Sequence, residues 1–234
     1  MELYRKILFL LALLTTSNAI AGIGISQAVV DFSNPQIQRR DIWVINDGSQ
    51  RAYVAIDPAE IVNPGLPNEA RVTEPDPEKR GLLVTPSRII LDPKQRRMVR
   101  LVVLGNRKTE RIYRVKIHPV IAPPENNKKQ KVPRKSGIGI RILTGYDMLV
   151  IVRPLNPVAK VTARREGNNL IFNNAGNTNA LLLNGTQCNT SGKDCKNLPA
   201  MRLYAGASHT ITTPYQTPVS YDIQAGGKRD KLKF

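Results

Sequence analysis

The sequence predicts an all-β protein made of antiparallel sandwiches. Three observations predict it. Apolar and polar residues alternate with period two in short segments, Pro, Gly and Asn punctuate those segments regularly, and no stretch carries convincing helical periodicity.

The chain opens differently. Arg5 and Lys6 precede an unbroken apolar run from Ile7 to Leu14, and Ala19-Ile20-Ala21 follows a short polar stretch. That order is a secretory signal with an A-x-A cleavage site. The run is far shorter than the roughly 20 apolar residues that span a bilayer. Residues 1–21 are therefore read as a signal peptide, and the mature chain as a soluble exported protein.

Strand patterns follow at Asp41–Asn46, Arg51–Ile56, Met98–Leu104 and Arg111–Ile117. Turn signals separate them at Asn46-Asp47-Gly48, Asn63-Pro64-Gly65, Asp92-Pro93 and Gly105-Asn106. Pro67–Gly81, charged and proline-rich, reads as a loop. Pro123–Ser136 is polar and cationic and has almost nothing to bury, so it reads as disordered. Ile138, Ile140 and Ile142 come next, two residues apart and hence on one face of a strand. Tyr146–Val152 is the last strand of this set. Pro154 and Pro157 stop it and mark a hinge, because proline donates nothing to a ladder and biases its predecessor toward extended geometry.

A second set begins after Val158: Lys160–Arg164, Asn169–Asn173, Ala180–Asn184, His209–Thr212 and Val219–Ile223. The division is thus 22–153 and 154–234, about 130 and about 80 residues, each suited to one sandwich. Cys188 and Cys195 are the only cysteines. In an exported chain, a nearby pair within a polar, Gly-containing stretch reads as a local disulfide. It is not a C-x-x-C redox motif, and with His118 and His209 it makes no zinc pattern.

The formal net charge is +17. Nucleic-acid binding is disfavoured: export removes the usual partners, aromatics are few, and no nucleic-acid signature is present. Neither histidine belongs to a nucleophile–base–acid arrangement, and the Asp57/Glu60 pair is interrupted by Pro58, which suggests a turn. The chain is therefore not expected to be an enzyme or to need a cofactor, a metal or a small-molecule substrate.

Val84-Thr85-Pro86-Ser87-Arg88-Ile89-Ile90-Leu91-Asp92-Pro93, then Gln95 to Leu101, then Glu110-Arg111-Ile112-Tyr113-Arg114-Val115, resembles the first domain of periplasmic chaperones of the chaperone-usher pathway. Val152-Arg153-Pro154 resembles their domain junction, and Asn173–Asn177 their second domain. The cysteine pair and the basic composition are more similar to the alternate (class 5, CFA-type) or archaic branches. The resemblance implies two immunoglobulin-like domains in a boomerang, located in the periplasm. It implies donor-strand complementation of a fimbrial (pilin) subunit, a form of strand addition at a sheet edge. Delivery to an outer-membrane usher for pilus assembly would follow.

The same resemblance implies roles for particular residues. Ile138, Ile140 and Ile142 would be the donor strand, each worth about 1.5–3 kcal/mol when fully buried. The C-terminal carboxylate of the captured pilin would be anchored by cations in the inter-domain cleft. One branch uses an arginine on the first strand and a lysine on the last strand of the first domain. Here Gly22–Phe32 holds no basic residue, and Leu149 stands at the lysine's place. Arg100 and Arg114, on strands expected to be neighbours, are the anchor candidates, with Lys116 a third. Glu110, Arg153 and Asp222 would form an inter-domain salt bridge. The rival reading is a secreted immunoglobulin-like adhesin or ligand-binding protein. Self-association of the free chain is left open.

Overall fold

The structure, a computed structural model, describes residues 22–121 and 143–234. The proposed signal peptide and the donor residues Ile138, Ile140 and Ile142 lie outside the described residues.

In chain order the first half forms β1 (Ile23–Ile25), β2 (Val29–Phe32), β3 (Arg39–Asn46), β4 (Ala52–Val62), β5 (Ala70–Val72), the single helical turn α1 (Pro77–Arg80), β6 (Leu82–Thr85), β7 (Arg88–Leu91), β8 (Arg96–Val103), β9 (Arg111–Val120) and β10 (Tyr146–Val152). Two sheets pack face to face, ordered β1-β3-β8-β6 and β2-β10-β9-β4-β5, with β7 also on β4. The N-terminal segment switches sheets: β1 runs antiparallel to β3, and β2 runs parallel to β10. Alternation explains the core. Tyr113, Val115 and Ile117 of β9 face inward with Met148 and Val150 of β10, against Val99 and Leu101 of β8.

Two local readings change. Residues 67–81 hold β5 and α1. The turn was legible in its caps: the Asp76 carboxylate accepts from the Glu78 N–H at 2.9 Å, Pro77 fills the first helical position, and Gly81 closes it at φ 74°. The buried Tyr113 hydroxyl then donates to the Arg80 carbonyl at 2.8 Å, fixing the turn to the sandwich. Pro58 marks no turn and lies inside β4. On one side of β4, β7 pairs with residues 52–55 and β5 with residues 60–62. Pro58 sits in the interval between them, where a missing N–H costs no bond to either strand.

The second half forms β11 (Val161–Glu166), β12 (Asn169–Asn174), β13 (Ala180–Cys188), β14 (Cys195–Leu198), β15 (Met201–Leu203), β16 (Ser208–Thr212), β17 (Val219–Ala225) and β18 (Lys228–Lys233). Its sheets are β11-β12-β16 and β14-β13-β17-β18, with β15 on β13. The core centres on Phe172, which meets Tyr221 and Phe234 edge to face at 5.6 and 5.2 Å between ring centres. Gly185 is required where β13 bulges between Leu183 and Thr186, because a Cβ there would lie 2.4 Å from the Tyr221 ring. A disulfide joins Cys188 to Cys195 across the β13/β14 ladder. Among the described residues no helix is long and apolar enough to cross a membrane.

Candidate functional site

The two sandwiches are bolted together at their junction. Arg153 follows β10 and is only 3% exposed. Its guanidinium grips the Asp31 carboxylate of β2 at 2.9–3.0 Å and reaches into the second sandwich, to the Thr178 hydroxyl at 2.7 Å and the Asn179 carbonyl at 3.0 Å. The buried Glu110 carboxylate lies 3.6 Å from Arg153. It accepts from the Thr178 hydroxyl, and from the backbone and side-chain N–H groups of Asn179 at 2.9 Å. The carboxylate that burial removes from water is thereby given donors, as a desolvated ion pair requires. Arg107 supports the same corner. It donates to the Arg153 carbonyl at 2.7 Å and the Asn34 carbonyl at 3.0 Å, and burial lowers its pKa. The expected hinge is therefore pinned through Arg153 itself.

Asp222 does not join this network. Its neighbours Tyr221 and Ile223 point into the second core, so alternation turns Asp222 to the outer face of β17. There it accepts from Asn184 at 2.8 Å and Arg229 at 2.7 Å. The second acid on Arg153 is Asp31, which sequence reasoning missed along with Arg107. Asp31 and Arg153 are 122 residues apart, and only the parallel β2/β10 pairing brings them together.

The cleft floor is the outer face of β4, β9 and β10. Ile112, Leu149 and Ile151 are buried there, with Ile61 and, from the second sandwich, Tyr204 packed against them. Burial raises the Tyr204 pKa. Moving along β9 away from this contact, the next outward residue is Arg114, beside Ala59 and Leu149, and then Lys116, beside Asp57 and Asp147. The floor thus grades from apolar and closed to cationic and open. Arg114, Arg71, Glu69, Asp147, Ile61, Ile112 and Tyr204 line a cleft of about 410 Å³. Within it Arg71 makes a two-point contact with the Asp147 carboxylate at 2.9 and 3.1 Å. The Arg114 guanidinium donates to the Asp147 backbone carbonyl at 3.1 Å.

Arg100 lies elsewhere. The expectation that its strand neighbours that of Arg114 fails, because the chain crosses from one sheet to the other between β8 and β9. Arg100 points outward from β8 and makes a forked contact with Asp41 of β3 at 2.9 and 3.1 Å. That hydrogen bonding holds the Asp41 carboxyl below its usual range. So the structure brings Arg114 and Lys116 onto one face and leaves Arg100 on another.

The strand edge preceding the cleft is also defined. β10 pairs with β9 from Tyr146 onward, but with β2 only from Leu149. Along Tyr146–Met148, β10 has no strand on its second side among the described residues. Among the same residues no group of three or more His, Cys, Asp or Glu side chains is placed to hold a metal.

No family model matches the chain. Two curated Escherichia coli relatives are similar in sequence. One is a fimbrial subunit of CS1, 24% identical over 172 residues, 71% of this chain and 71% of that protein. The other is a fimbrial subunit of CFA/I, 25% identical over 153 residues, 65% of this chain and 63% of that protein. Solved structures share the fold over nearly the whole chain. The class 5 fimbriae chaperone CfaA superposes with a TM-score of 0.63 at 21% identity, covering 91% of this chain and 98% of that one. The SafB chaperone, solved with the SafA pilin of Salmonella enterica, gives 0.61 at 15% identity, covering 93% and 98%. The chaperone of the archaic Csu pili of Acinetobacter baumannii, solved as a CsuC–CsuE complex, gives 0.57 at 14% identity, covering 91% and 98%.

Proposed function

We propose that this chain, which has the two-sandwich fold of fimbrial chaperones, is a periplasmic chaperone of fimbrial subunits. The observation that carries the proposal is the whole-chain fold match, which includes chaperones solved in complex with a pilin or a tip subunit. The geometry supplies what such a role requires. The Tyr146–Met148 edge of β10, which carries no second strand among the described residues, can template an extended partner strand. Arg114 and Lys116 stand on the floor of the adjacent cleft, where a guanidinium can hold a terminal carboxylate by two parallel hydrogen bonds. Ile138, Ile140 and Ile142, just upstream of that edge, are proposed to fill the open groove of the pilin. Release to an outer-membrane usher would follow. Nothing in this cycle calls for bond-breaking chemistry, a cofactor or a metal.

The test is co-expression, in a Gram-negative periplasm, with the pilin-like proteins encoded beside this chain. A one-to-one complex is expected. Arg114→Ala should weaken it about tenfold or more, the scale of losing a charge-assisted pair, while the melting temperature stays near that of the parent. A chain recovered without a pilin would contradict the proposal.

The curated relatives are named fimbrial subunits, which favours a second reading as a component of the fibre. Purified fibres separate the two: a chaperone is absent from them, and a structural component is present.

A further inference from the structure

The cleft holds a second arginine that already grips a carboxylate. Arg71, on the edge strand β5, reaches across the sheet face to Asp147 at the start of β10. Its guanidinium takes both Asp147 oxygens, at 2.9 and 3.1 Å, through Nη2 and Nη1, the end-on fork by which arginine recognises a carboxylate. The same Nη2 lies 3.4 Å from the Arg114 carbonyl, and the Arg114 guanidinium donates to the Asp147 carbonyl. Two arginines therefore converge on one aspartate, whose side chain meets the first and whose backbone meets the second. Glu69, the other acid lining the cleft, is engaged by the Gly65 N–H at 2.6 Å.

No pattern along the chain announces this pair, since Arg71 lies in a segment that reads as a loop. The contact is also wet: the Arg71 and Asp147 side chains are 40% and 47% exposed. An exposed pair of this kind contributes little to folding. It is also easily exchanged for another carboxylate arriving from solvent. Its position, on a cleft floor and beside an edge with no second strand among the described residues, gives that exchange a use.

We propose that Arg71 is a second cation of the carboxylate-binding site, and that Asp147 is an internal counter-ion occupying it until a partner's terminal carboxylate displaces it. The inference rests on the proposed chaperone function and adds a self-capping step to it. In the empty protein Asp147 keeps Arg71 ordered and neutralised. On capture the incoming carboxylate takes the fork, and Asp147 turns to water. Asp147 also sits on the strand whose edge receives the partner, so the edge and the cation become available together.

The test uses the mature chain and a synthetic peptide with the C-terminal sequence of a pilin that the chain captures, made with a free carboxylate and with an amide. Asp147→Asn should tighten binding of the free-acid peptide by about two- to fivefold, the scale of an exposed ion pair, and leave the amide unchanged. Arg71→Ala should weaken the free acid about tenfold, and Asp147→Asn should then have no further effect, since the coupling is lost with its partner. Arg71→Lys keeps the charge without the fork and should recover only part of the loss. Tightening by Asp147→Asn that persists without Arg71, or affects the amide equally, overturns the inference and leaves the chaperone reading standing. Unchanged affinity in Arg71→Ala, with Arg114→Ala still weakened, does the same. Failure of the parent chain to capture any pilin overturns the function and the inference with it.

Discussion

Single residues at the junction do more than their number suggests. Arg153 is nearly inaccessible, yet it serves a carboxylate of one sandwich and two oxygens of the other. Removing one partner of a buried pair costs about 3–5 kcal/mol, because the remaining charge stays desolvated. Arg153→Ala should therefore lower the urea midpoint sharply. Arg153→Lys should fail to restore it, since an ammonium cannot fork to Asp31 while reaching Thr178 and Asn179. A midpoint unchanged in either variant would show that the network is not structural. Asp222→Asn, by contrast, should leave the junction intact, because its partners are Asn184 and Arg229.

Charge also sets a pH response at this scale. Hydrogen bonds from Arg100 to Asp41, and from Asn184 and Arg229 to Asp222, lower both carboxyl pKa values. The unfolded chain therefore binds protons more readily than the native one. Stability from these groups is fully present above an unfolded carboxyl pKa near ~4 and is lost as pH falls through the lower native values. Melting temperatures measured from about pH 6 down to about pH 3 should fall, with a shallower slope in Asp41→Asn. An identical slope would show that Asp41 contributes nothing to the response.

At the scale of elements, what the sequence shows well is alternation. β3, β8, β12, β13 and β17 carry it, because each buries one face and leaves the other partly exposed, whereas β10 is buried on both faces from Met148 to Val152. β18 does not. Lys228–Lys233 is exposed throughout and is held by its backbone ladder to β17, so no side-chain pattern could have announced it. β5, likewise fully exposed, was lost in a charged segment for the same reason. The disulfide was legible from two cysteines in one polar stretch. It closes a small loop, and replacing both cysteines by serine should cost about 2 kcal/mol, read as a lower thermal transition for the second sandwich. Unchanged melting would show that the hairpin holds without it. Gly185→Ala should be worse than its size implies, because the added carbon meets the Tyr221 ring. An overpacking cost of about 1–3 kcal/mol is expected, and a neutral result would mean that Tyr221 can move aside.

For the whole molecule, the candidate residues that the structure places together as the sequence suggested are those on one strand or on two paired strands. Arg114 and Lys116 share a face by period alone, and Glu110 and Arg153 flank strands that are neighbours. Asp31, Arg107, Arg71 and Tyr204 were missed because each joins its site through contacts remote in sequence, and Tyr204 comes from the other sandwich. Arg100 was misplaced because a motif position does not reveal which sheet a strand enters. The proposed function draws on the assembly of these parts: a bolted junction, a graded apolar-to-cationic floor and, beside it, an edge that carries no second strand among the described residues.

A chaperone protects a pilin and stays out of the fibre. The lifetime of the pilin in a periplasm with and without the chain therefore decides the matter, together with the composition of the purified fibres. The pilin is expected to be degraded without the chain, to accumulate with it, and to form fibres from which the chain is absent. A pilin equally long-lived in both cases, or fibres that contain the chain, would show that the chain is not its chaperone.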